Sequence, residues 1–176
     1  MTAGTTRRGL LKRGLLGGLL LAAGGATWLG LRPSALAPLP EQPLTVFTPA
    51  QYSVLMAVIG RCVPDPVSTL GQRQETALRI DATLAGANER TRADFTQLLG
   101  LLDNALAGFV LDGNPTPFTH LDATGQEAVL EAWRISRIGV RRTGYQALRR
   151  IIVTHFYADP ANQLALGYPG PPKGVL

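Results

Sequence analysis

Proline decides where this chain can and cannot be regular. Pro33, Pro38, Pro40 and Pro43 crowd one segment, Pro64 and Pro66 flank Asp65, and Pro115 and Pro117 flank Thr116. Pro160 follows Asp159, and Pro169, Pro171 and Pro172 sit near the end. A proline has no amide to donate and its ring clashes with the preceding turn, so helices must lie between these clusters. Within the intervals, apolar residues recur at steps of three and four, and no convincing alternation of apolar and polar residues appears. That periodicity predicts an all-α, compact single domain of five or six helices.

Local signals place the elements. Thr48 is a cap, Pro49 a first-turn residue, Gln51 the far half of a capping box, and Phe47 a staple against Tyr52. Val54, Leu55, Val58, Ile59 and Cys62 then form one apolar face, and Pro64-Asp65-Pro66 ends the helix. A second helix is expected over about Gln74 to Ala85, where Ala77, Leu78, Ile80, Ala82 and Leu84 give a blurred stripe. A third runs from about Glu89 to Val110 on Phe95, Leu98, Leu99, Leu102, Leu106 and Phe109. Asp122 caps a fourth carrying Val129, Leu130 and Trp133, with Gly139 at its end or at a bend. Val140, Tyr145, Leu148, Ile151, Ile152, His155 and Phe156 line a fifth, and Asp159-Pro160 opens a short last helix through Leu166. The Gly167-Tyr168-Pro169-Gly170 sequence that follows must be irregular.

Ahead of the domain, Arg7-Arg8-Gly9-Leu10-Leu11-Lys12 precedes an uncharged, glycine-interrupted stretch from Gly14 to Leu31. Arg7, Arg8, Leu10, Leu11 and Lys12 look like a twin-arginine export signal, an address read by the Tat translocase, which carries proteins already folded. The expected product is periplasmic or held at the periplasmic face of the inner membrane. About 18 uncharged residues also reach the lower limit for spanning a bilayer, so membrane contact persists if the segment is not cut. Ala35-Leu36-Ala37 has the small-x-small pattern of a peptidase site, yet Pro38 follows it; Gly24-Gly25-Ala26 is a second candidate. The organisation read this way is a signal or anchor over 1–37, a Pro-rich linker over 38–46, a helical domain over 47–167 and a Gly/Pro-rich tail over 168–176.

The net charge of +5 belongs to that first segment, which holds Arg7, Arg8, Lys12, Arg13 and Arg32 and no acid. The remaining chain is balanced, so a basic pI gives no support to nucleic-acid binding. Cys62 is the single cysteine. It excludes an intramolecular disulfide and Cys-x-x-Cys-His haem attachment, and leaves either a small core residue or a disulfide to another chain. Cys62, His120 and His155 lack metal-ligand spacing. No nucleophile-base arrangement and no Gly-rich loop after a strand is present, so neither a catalytic set nor a cofactor site is expected in this chain.

Arg134, Arg137 and Arg141 share one helical face if the fourth and fifth helices run on smoothly, and Arg142, Arg149 and Arg150 make a second basic set. These read either as a solvated face or as a dock for an acidic partner, to which arginine's planar fork is suited. The tail around Tyr168 and Pro169 is either loose or an arm laid on another subunit.

Several segments together resemble the gluconate 2-dehydrogenase subunit 3 family: Phe47-Thr48-Pro49, Val63-Pro64-Asp65, and Phe156-Tyr157-Ala158-Asp159-Pro160 leading to Leu166-Gly167-Tyr168-Pro169-Gly170-Pro171. The resemblance implies a non-catalytic small subunit of a flavoprotein dehydrogenase that oxidises a sugar, sugar acid or alcohol. FAD would sit in the large partner subunit, often with a cytochrome c subunit as electron acceptor. It further implies that the export signal of the small subunit carries the large one out. The alternative from the residues alone is a stand-alone exported helical binding or scaffold protein.

Overall fold

The computed structural model describes residues 33–63 and 69–167, and in those residues the chain is all-helical. The elements are α1 (Pro49–Cys62), α2 (Leu70–Ala85), α3 (Glu89–Asp103), α4 (Ala105–Asp112), a 3-10 turn (Phe118–His120), α5 (Ala123–Arg134), α6 (Gly139–Tyr157) and α7 (Pro160–Ala165).

Helix α1 is the hub. It begins as expected, with the Thr48 side chain accepting from the Gln51 amide and the Gln51 side chain returning to the Thr48 amide. It packs against α2, α3, α5, α6 and the 3-10 turn. Being surrounded, it buries Tyr52, Ser53, Val54, Leu55 and Met56 in succession, beyond the single face its periodicity predicts. Each large apolar side chain fully removed from water contributes roughly 1.5–3 kcal/mol before entropy is counted. The core is completed by Ile80 and Leu84 of α2, Phe95 and Leu99 of α3, Trp133 of α5, and Leu148, Ile152 and Phe156 of α6.

Three boundaries and the placing of one side chain differ from expectation, each for a local reason. Helix α2 starts at Leu70 instead of about Gln74, because Thr69 and Gln72 form a second capping box. Its buried positions are Thr76, Ala77, Ile80, Asp81 and Leu84, whereas Ala82 faces out. The stripe looked blurred because two of its inward residues are polar. The helix expected over Glu89 to Val110 is divided at Asn104, which is extended (φ −74, ψ 111) and whose side chain accepts from the Ala107 amide, capping α4. The side chains of Leu106 and Phe109 lie outside the described set. Gly139 opens α6 rather than closing α5, which ends at Arg134 with Ile135 as its C-cap. Val140, expected on the inner side of α6, is 59% exposed because it falls in that first turn, beyond the packed region.

The proline-rich segment is non-helical, as its composition predicts, and it is also docked. Asp81, only 3% exposed, accepts the amides of Thr45, Val46 and Phe47. Upstream, the Ala37 amide donates to Ser53 Oγ, the Ala35 amide to Thr119 Oγ1, and the Gln74 side chain reaches the Pro38 carbonyl. Residues 33–47 therefore form a strap across the helices, holding Phe47 in the core with its ring centroid 6.0 Å from that of Phe95.

Candidate functional site

An open surface groove of about 900 Å³ lies between helices α3 and α6. Its floor is made by Phe95, Leu98 and Leu101 from α3 and by Gly144 and Ala147 from α6, and exposed Val140 forms its lip. The helices can approach here because position 144 has no side chain: a Cβ there would lie 2.4 Å from Leu98 Cδ1 and 3.2 Å from Trp133 Cζ3. The polar groups on the rim are those of Asp94, Thr91, Gln97, Asn104 and Thr143. Asp94 is the one ionisable side chain among them, and no cysteine, serine, histidine or lysine lines the groove. The apolar floor is of a kind that can take apolar side chains of another polypeptide.

The arginines expected on one face are separated. Arg134 ends α5, exposed, and its Nε and Nη2 grip Glu131 at 2.6 Å each, which holds the Glu131 carboxyl below its usual range. Arg137 is exposed in the connection between α5 and α6. Arg141 is 4% exposed, with its guanidinium carbon 5.5 Å from the Trp133 ring centroid. The face does not form because α5 and α6 are not continuous; the chain turns at 135–138, and Arg141 is drawn inward over the indole. The second set does persist outside: Arg149 and Arg150 are exposed on α6 beside Tyr145 and Val153, lining a shallow groove of about 290 Å³. Arg142 is exposed too and donates to the Ser136 carbonyl at 2.8 Å. No acid occurs between Glu131 and Asp159, so α6 itself carries basic residues and no carboxylate.

Cys62, at the end of α1, is half-buried and packed against the core. Burial pushes its thiol up to about 11, with Arg149 opposing the shift. A thiol held protonated is a slow partner in disulfide exchange. His155 is hydrogen-bonded through both ring nitrogens, Nδ1 with the Ile151 carbonyl and Nε2 with Thr83 Oγ1, each at 2.8 Å. His120 is exposed and meets the Pro33 carbonyl at 2.9 Å. Among the described residues no group of three His, Cys, Asp or Glu side chains is placed to hold a metal, and no helix is long and apolar enough to cross a membrane.

Arg7, Arg8, Leu10, Leu11 and Lys12, together with Tyr168 and Pro169, lie outside the described residues. Two residues that matter structurally escaped sequence reasoning. Asp81 was hidden in an apolar stripe, and Gly144 carried no signal beyond being a glycine in a helix. The chain matches no family model, no curated protein and no solved structure.

Proposed function

We propose that this protein is a non-catalytic small subunit of an exported flavoprotein dehydrogenase complex, and that it supports assembly and Tat export of a larger FAD-containing partner. The partner would oxidise a sugar, sugar acid or alcohol, and a cytochrome c subunit could complete the complex. The observation that carries the reading is the pairing of an open apolar groove at Val140, Leu98 and Leu101 with an outward basic side at Arg149 and Arg150. The first surface offers apolar contacts and the second offers cationic ones.

Two of the segments that resemble the gluconate 2-dehydrogenase subunit 3 family, in their described residues, fall at joints of the fold, which supports a scaffold role. Phe47-Thr48-Pro49 starts the central helix, and Phe156 is buried just ahead of the α7 cap. That cap, Asp159, accepts from the Ala161 amide and pairs with Arg79 of α2 at 3.0 Å.

Co-purification from native membranes tests the proposal. The expected result is a stable complex containing flavin, and changing Arg7 and Arg8 together to Lys should leave the flavoprotein's activity in the cytoplasm. Recovery of this chain alone, with the flavoprotein still exported when both arginines are changed, would favour a stand-alone scaffold.

A further inference from the structure

Ala35-Leu36-Ala37, which has the pattern of a signal-peptidase site, is part of the docked strap. The Ala35 amide donates to Thr119 Oγ1 at 3.0 Å and the Ala37 amide donates to Ser53 Oγ at 2.8 Å. The clasp is itself supported. Asp103 Oδ1 accepts the Thr119 amide and hydroxyl at 2.7 and 2.9 Å, Asp103 Oδ2 accepts the Ser34 hydroxyl, and His120 meets the Pro33 carbonyl. Ala35 and Ala37 are half-buried, Ala37 against the core, whereas Leu36 is 66% exposed.

A peptidase of this specificity takes its substrate as an extended strand, pairing with the backbone and seating two small side chains in pockets. Here both alanine amides are engaged by the protein's own domain, both residues are half-buried, and Ala37 packs against the core. What the strap presents outward is Leu36, which a pocket built for alanine cannot accept.

We infer that Ala35–Ala37 is a processing site closed by folding. Once Ser53 and Thr119 have captured the strap, the bond after Ala37 is protected whatever residue follows it, and residues 1–37 stay joined to the domain at this point. The timing rests on the export reading above: a Tat substrate folds before it crosses, so the strap is docked before the chain meets a peptidase at the periplasmic face of the inner membrane.

Pro38 obstructs the same cut chemically, so the test removes it first. The full-length chain carrying Pro38→Ala, in detergent, is treated with purified signal peptidase and followed by intact mass. A free peptide spanning 27–45 with the same change is the reference. The Pro38→Ala chain should remain uncut after Ala37, whereas adding Ser53→Ala and Thr119→Val should raise cleavage there at least tenfold. Cutting of the Pro38→Ala chain as fast as the peptide would overturn the inference. So would an uncut peptide, or a released strap that stays uncut while the peptide is cleaved.

Hydrogen exchange on the unaltered chain checks the clasp without any variant. The amides of Ala35 and Ala37 should be protected, and exchange of both at the unfolded rate would refute the closure. Neither measurement depends on export, so a failure of the Tat reading would appear separately, in the Arg7 and Arg8 experiment.

Discussion

Asp81 Oδ1 accepts the backbone amide of Phe47 at 3.0 Å, and the same carboxylate takes the amides of Val46 and Thr45 at 3.0 and 2.7 Å. One buried side chain on α2 thus ties down the run of backbone that leads into the Thr48 cap of the central helix. An ionised carboxylate has lone pairs for all of these donors and no proton to set against them.

Asp81→Asn should therefore be costly despite its nearly equal size. The amide keeps one acceptor oxygen and turns an N–H₂ toward a backbone donor, so a loss of roughly 2–4 kcal/mol is expected. Guanidinium unfolding of the two proteins would measure it, and an unchanged midpoint would show that the strap contributes little to stability.

The two glycines flanking the α3–α6 groove should respond in opposite directions. A Cβ at Gly100 meets nothing within 4 Å, so Gly100→Ala should stabilise by about 0.5–1 kcal/mol through helix propensity. Gly144→Val drives methyl groups into Leu98 and Trp133 and should cost roughly 2–3 kcal/mol by overpacking. Paired thermal melts would decide both signs.

Cys62 predicts a pH dependence on the alkaline side. Its folded thiol titrates near 11, whereas an unfolded one ionises near 9, so between these values the unfolded chain has released a proton that the folded chain retains. Unfolding then binds fewer protons, and stability falls as pH rises from about 9 to about 11. Cys62→Ser should reduce that decline in a pH series of denaturant midpoints. Alkylation of the native thiol at pH 8 should run about a hundredfold slower than that of a free cysteine, given its smaller thiolate fraction.

Charge reversal separates docking from folding. Arg149→Glu with Arg150→Glu alters exposed positions on α6, so Tm should move by no more than a degree or two while co-purification of the flavoprotein is lost. Arg141→Glu should instead destabilise the domain itself, because it would put an anion against the indole of Trp133 in a buried position. Retention of the complex by the Arg149/Arg150 variant would move the interface to another face.

Legibility followed sequence distance. Thr48, Asp122 and Asp159 were readable as caps because their partners lie two or three residues away. The same logic extends to Thr69 and Gln72, whose capping box also closes within three residues. The partners of Asp81 lie 34 to 36 residues away, so no window of helical length holds both ends of the interaction. The proline-rich strap was legible as non-helical from its missing amides, but its attachment to Ser53, Asp103 and Thr119 was not. The arginine face failed for a related reason: the helical period that aligns Arg134 with Arg141 holds only along an unbroken axis, and the axis breaks at Ile135.

By itself the sequence determined the helical class, most helix starts and the absence of helix at the proline clusters over 33–43 and 115–117. Each of these depends on hydrogen bonds within a single turn or on amides that proline lacks. Tertiary structure decided which polar residues are buried, that Gly144 sets the approach of α6 to Leu98 and Trp133, and that the linker is clasped onto the domain. Those outcomes depend on groups that meet only after the helices have packed around α1, and a one-dimensional pattern does not carry that proximity.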